Sequence, residues 1–153
     1  MKIKLLILAI VLFPLTLSAQ DVPSNVKEKA KSMYPNTSIK WDVDGPGKYE
    51  AELTDNGVTM SLLFDDNATL LATETKMDVS GLPQKVQDYI ASNYKDMKIT
   101  EAAKIVDNNG NTTYEAEVFD GKKHKDVLFD SNGNPLRGKG DKDDDDEDED
   151  DGD

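Results

Sequence analysis

The tetrapeptide Tyr-Glu-Ala-Glu occurs twice in this chain, at residues 49–52 and 114–117, an offset of 65 positions (114 − 49). The same offset carries Leu62-Leu63-Phe64-Asp65 onto Val127-Leu128-Phe129-Asp130. Upstream, Pro23, Val26, Tyr34 and Ile39 correspond to Pro83, Val86, Tyr94 and Ile99 at an offset of 60, so the second copy holds five more residues (65 − 60) before its tetrapeptide. Such a repeat is a strong constraint on folding. Each copy has to be one supersecondary unit, and the two have to share an architecture.

Each copy opens with a helical pattern. Val26, Ala30, Met33 and Tyr34 recur at helical spacing, as do Val86, Ile90 and Tyr94. Both stripes are narrow and flanked by lysine and polar residues, so each helix can bury one face only. Pro23 and Pro83 fit the first helical turn, where a missing N–H costs nothing. The period then changes to two. Ile39, Trp41 and Val43 alternate with Lys40 and Asp42, and Gly45-Pro46-Gly47 turns the chain. Tyr49, Ala51 and Leu53 share one side of the next strand, with Glu50 and Glu52 on the other. Asn56-Gly57 is a hairpin signal, and Val58, Met60, Leu62 and Phe64 line one face of the strand that follows. Residues 69–77 read as a fourth strand, rich in threonine.

The second copy predicts strands over 98–106, 113–119 and 123–129, and a short one near Leu136. The expected fold class is α+β. It is a tandem repeat of a helix plus three or four antiparallel strands, with both helices on one face of a sheet of about eight strands. Repeat 1 spans residues 22–81 and repeat 2 spans 82–136.

The two ends lie outside this pattern. Lys2 and Lys4 precede an apolar run over residues 5–15, and Leu17-Ser18-Ala19 suits cleavage. Residues 1–19 therefore read as a secretory signal peptide. The run is shorter than the roughly 20 residues of a spanning helix. The expected location is periplasmic or secreted, with no membrane span after cleavage. There is no cysteine, so disulfides, thiolate nucleophiles and thiolate metal sites are excluded together. The formal charge is −13, and residues 141–153, with 11 acids and one lysine, carry −10 of it. Residues 137–153 offer no apolar surface to offset ordering entropy and read as a disordered acidic tail. An acidic chain is a poor match for nucleic acid, which is bound by basic residues.

The repeated features resemble the PepSY-like, β-lactamase-inhibitor-like family of small exported bacterial proteins. The residues that carry the likeness are Val22-Pro23 and Leu82-Pro83, Val26 and Val86, Tyr34-Pro35, the paired Tyr-Glu-Ala-Glu strands, and the paired turns Phe64-Asp65 and Phe129-Asp130. It covers roughly residues 22–136. The resemblance implies a tandem helix-plus-sheet fold with a concave sheet face. It also implies a binding or inhibitory role toward another protein.

No constellation of residues points to catalysis or to a cofactor. His124 is the only histidine, set among Lys122, Lys123 and Lys125, so a multi-histidine metal site is impossible. Paired carboxylates can hydrolyse glycosidic bonds, but Glu50 with Glu52 and Glu115 with Glu117 are written twice on the strand face expected to be wet, and read as solvated. Asp65, Asp107 and Asp130 begin turns that resemble calcium loops. Each lacks the sixth-position glycine and twelfth-position glutamate of an EF-hand and reads as an Asn/Asp turn.

The functional expectation is a non-catalytic exported module that binds or inhibits a protein or peptide of the cell envelope on its helix-free sheet face. Its candidate contacts are Glu50, Glu52, Leu63, Glu115, Glu117, His124 and Leu128. Leu63 and Leu128 point to the glutamate face by parity and serve as exposed anchors, with the nearby lysines setting orientation. Trp41 has the parity of the core residues Ile39 and Val43 and becomes a contact only if exposed. The alternative is handling of envelope cations, calcium above all, through weak binding by the acidic tail.

Overall fold

A computed structural model describes residues 22–136. The signal peptide expected at 1–19 and the tail expected at 137–153 lie outside the described residues.

Helix α1 (Ser24–Met33) leads into strands β1 (Ile39–Val43), β2 (Lys48–Asp55), β3 (Val58–Asp65) and β4 (Leu70–Lys76). A 3₁₀ turn (Val79–Gly81) precedes helix α2 (Gln84–Asn93), followed by β5 (Lys98–Asp107), β6 (Thr112–Phe119) and β7 (His124–Asp130). The strands form one antiparallel sheet in strict sequence order. Both helices pack on the same sheet face, each over its own cluster. Val26 and Ala30 join Ala51, Leu62 and Phe64 under α1. Val86 and Ile90 join Ala116, Val127 and Phe129 under α2.

Local chemistry sets the boundaries. Pro23 and Pro83 are N-caps, one residue earlier than the first-turn position expected, and each offers its carbonyl to the first helical N–H groups. Met33, read as part of the α1 stripe, is exposed because only Val26 and Ala30 of that helix reach the sheet. Asn56 and Gly57 both have positive φ, 49° and 82°, as the expected tight hairpin requires.

The carboxylates of Asp65, Asp107 and Asp130 each accept two backbone N–H bonds, from residues two and four positions on. These bonds hold all three below the usual carboxylate range: the Thr69 N–H leads at Asp65, and the side chains of Asn111 and Asn134 lead at the other two. At Asp107 and Asp130 both oxygens are engaged by the turn, and at Asp65 one is.

The described residues form seven strands, not about eight. β4 pairs with β3 beginning at Phe64↔Leu70. At the offset of 65 the matching pair is Phe129↔Pro135, and it exists only as an isolated bridge, followed by one bond from the Leu136 N–H to the Leu128 carbonyl. The bridge is flanked by the Leu136 bond and by one from the Asp130 N–H to the Asn134 carbonyl, so the Pro135 nitrogen lies on the side away from β7. Among the described residues, only Pro135 and Leu136 stand where β4 stands against β3.

Candidate functional site

The register places Glu50, Leu63 and Ala72 in one row across β2, β3 and β4, with Glu52, Ser61 and Glu74 in the next. On the other side Lys76, Ala103, Glu115 and Leu128 form a row across β4 to β7, beside Glu101, Glu117 and Asp126. All of these point away from the helices. Tyr49, Ala51, Leu62, Ala116 and Phe129, one residue along, fill the cores on the helix side.

No described element covers this face, yet its centre is buried. Leu63 is 8% exposed, Leu128 6%, Glu74 7% and Glu115 7%. Leu63 and Leu128 are on the glutamate face, as expected, but they are not exposed anchors. Antiparallel neighbours approach closely, and a twisted sheet folds one face in on itself, so adjacent side chains cover each other. The expectation of a solvated Glu115 is overturned by the same packing. Glu52, half-exposed, does remain in solvent, 3.2 Å from Lys40 Nζ.

Burial leaves two carboxyls in a costly state. Glu74 Oε2 and Glu115 Oε2 are enclosed and have no hydrogen-bond partner. Burial, reinforced by the negative charges of Glu50, Asp126 and Glu101, pushes Glu74 up to about 7. Burial also pushes Glu115 up to about 8, with Glu74, Asp126, Glu117 and Glu101 adding to it. Glu50 is raised by burial too, but the Ser61 hydroxyl hydrogen-bonds it and moderates the shift. Asp126 is raised by burial and then by Glu117 and Glu101. Lys76, the base nearest in register, is tied to Glu101 at 2.6 Å.

His124 stacks on Phe119 with ring centres 4.3 Å apart, and its Nδ1 lies 2.8 Å from Glu117 Oε1. It is paired with a carboxylate, despite the three lysines around it in sequence. Against the upward push of partial burial, hydrogen bonds from Thr100 and His124 hold Glu117 below its usual range. Lys125 lies on the opposite face, 5.4 Å above the Tyr94 ring, and so cannot orient a partner on the glutamate side. Trp41 is half-buried against the α1 cluster, in keeping with its core parity.

Sequence reasoning found Glu50, Glu52, Glu115, Glu117 and His124 on one face but missed Glu74 and Asp126. Glu74 is the one acid in the threonine-rich strand β4, and its parity places it on the central strand of the glutamate face. Among the described residues no three carboxylate or imidazole groups converge to hold a metal ion, and no helix is long and apolar enough to cross a membrane.

Comparison with known proteins places the fold. A protein from Bacteroides eggerthii provisionally described as periplasmic matches with a TM-score of 0.66 at 20% identity, covering 76% of this chain and 87% of its own. A DUF2874 family protein from Bacteroides uniformis matches with a TM-score of 0.65 at 21% identity, covering 75% and 86%. A BLIP-like protein from Bacteroides fragilis matches with a TM-score of 0.58 at 26% identity, covering 76% and 84%. No curated protein matches the chain. The model of the PepSY-like, beta-lactamase-inhibitor-like family matches residues 14–72 and again 47–137. Together the two matches span most of the 153 residues, and the chain belongs to that family.

Proposed function

We propose that this protein is a non-catalytic exported module that binds a protein or peptide of the cell envelope on the helix-free face of its sheet. The carrying observation is a face that no described element covers and that holds two buried, unpartnered carboxyls at its centre. Burying an unsatisfied polar group costs roughly 1–3 kcal/mol, and the fold gains nothing visible in return. Residues that weaken a fold in this way are characteristic of functional sites. The contacts are the carboxylates Glu50, Glu52, Glu74, Glu115 and Glu117, with His124 at the rim. Leu63 and Leu128 form the floor beneath them.

In the same reading, residues 22–81 and 82–136 are copies of one unit, and residues 1–19 direct export. The BLIP-like description of the Bacteroides fragilis neighbour supports an inhibitor-like role. The periplasmic description of the Bacteroides eggerthii protein supports the location.

The test is capture from a periplasmic extract of the source organism by immobilised full-length protein. Reversing charge at Glu52→Lys and Glu117→Lys removes the captured partner, while Lys29→Glu on the outer side of α1 leaves it in place. Equal capture by all three proteins would exclude the helix-free face.

A further inference from the structure

We propose that the centre of the helix-free face seats a lysine or arginine side chain of the partner, bound by the Glu74 and Glu115 carboxylates. This rests on the helix-free face being the partner surface and deepens that reading by naming the chemistry that fits it.

Three observations carry it. First, Glu74 and Glu115 are each 7% exposed, and each has an enclosed oxygen with no partner. A buried carboxyl in that state lacks a donor, and a cationic side chain is the strongest donor a protein partner can offer. Second, the charge around them is one-sided. Glu50 on β2, Glu101 on β5, Glu117 on β6 and Asp126 on β7 face the same region. Three bases on this face, Lys40 on β1, Lys76 on β4 and His124 on β7, are already bound to Glu52, Glu101 and Glu117. Third, the acidic run of the chain is unsuited to the place: residues 141–153 carry a net charge of −10 and are repelled by an acidic face.

Seating a cation there has a thermodynamic signature. Both carboxyls hold protons near neutrality and must release them to pair with an ammonium or guanidinium group. Binding is therefore linked to proton release, and tightens as pH rises.

The probe is a blocked pentapeptide of alternating valine and arginine. It is titrated into the full chain in 0.5 M sodium chloride, where the Debye length of roughly 4 Å suppresses loose association with residues 141–153. Its counterpart carries neutral citrulline in place of arginine. Calorimetry in two buffers of different ionisation heat counts protons, and carboxyl-carbon NMR reports each glutamate.

Arginine peptide releases about one proton or slightly more at pH 7 and binds at least about a hundredfold more tightly at pH 8 than at pH 6. The citrulline peptide shows neither effect. Glu74→Gln with Glu115→Gln abolishes the proton release. Glu28→Gln with Asp88→Asn, the same kind of acid-to-amide change on the helices, preserves it.

Zero proton release from the wild type, or release unchanged in the Glu74→Gln/Glu115→Gln protein, overturns the inference. So does movement of the Glu74 and Glu115 signals by calcium chloride but not by peptide. If the peptide shifts Glu52 and Glu117 but not Glu74 and Glu115, the face binds and only this inference fails. If it shifts no residue on the face, the inference fails and so does the reading it rests on.

Discussion

Glu50 and Glu115 hold the same place in the same tetrapeptide, and the strand across from each presents a leucine, Leu63 or Leu128. Glu50 is nevertheless half-buried and bonded to Ser61, whereas Glu115 is buried, unpartnered and pushed up to about 8 by burial and neighbouring charge. The difference comes from next-nearest residues. The position 65 beyond Ser61 is Asp126, so a hydroxyl that lowers the Glu50 pKa is replaced by a carboxylate that raises that of Glu115. The sheet order adds to it. β1, beside Glu50, is an edge strand, while β5, beside Glu115, is joined to β4 and Glu74. Identical local sequence thus yields one acid raised with a hydroxyl moderating the shift and one pushed up to about 8, and the neighbours decide which.

The largest expected effect concerns whether the two halves stand or fall together. Phe64 and Phe129 are both fully buried, one in each cluster. Phe64→Ala and Phe129→Ala should each cost about 3–5 kcal/mol in denaturant unfolding. Because β4 pairs with β5 along Ala72 to Lys76, each substitution should lower amide protection in both halves. Protection lost only in the mutated half would mean two independent units.

Next in size is the pH dependence. Folded Glu74 and Glu115 titrate near 7 and 8, against 4.5 for the free side chain. Between about pH 4.5 and 8 the folded state holds more protons than the unfolded state, so stability falls as pH rises and levels off above pH 8. Each tenfold difference in proton affinity between the two states is worth about 1.4 kcal/mol, so thermal or urea unfolding should show a loss of a few kcal/mol from pH 5 to pH 8. Glu74→Gln with Glu115→Gln should flatten that slope and raise stability at pH 8. A slope that survives both substitutions would place its origin elsewhere.

Exchanging the neighbours tests the comparison directly. Asp126→Ser should lower the midpoint of Glu115, and Ser61→Asp should raise that of Glu50, each by about tenfold in proton affinity, as read in carboxyl-carbon NMR titrations. Unmoved midpoints would mean that Ser61 and Asp126 do not cause the difference between the two acids.

The smallest effect lies in the turns. Ala68 and Gly133, also 65 apart, have φ of 60° and 74°. Left-handed backbone costs a residue with a Cβ about 1–2 kcal/mol, so Ala68→Gly should stabilise by up to about 1 kcal/mol. Gly133→Ala should destabilise by more than that amount, because its new Cβ meets Lys85 Cβ at 3.2 Å. Differential scanning calorimetry resolves both signs.

Most of the architecture could be read in the sequence, because periodicity reports which face of an element is buried. The helices over 24–33 and 84–93 and the strands from Ile39 to Asp130 follow from the spacing of Val26, Val86, Tyr49 and Phe64. The extent of the sheet was less legible, since among the described residues only Pro135 and Leu136 meet β7, while the apolar pattern near Leu136 is the one a longer strand would also show. The site was half legible. Parity assigned Glu50, Glu115, Leu63 and Leu128 to one face, but parity carries no information about exposure. Exposure depends on how strands far apart in the chain crowd one another, which is why Glu74, on the central strand, stayed hidden.

Pro135 also bears on how large such a protein can become. The outer edge of β7 stands in the position that the outer edge of β3 holds before β4 docks on it. In principle a further unit could be added there, and then another, each bringing its own helix. The Pro135 nitrogen faces away from β7, so it denies a donor to any strand laid beyond it, whether from a further unit or from a neighbouring molecule.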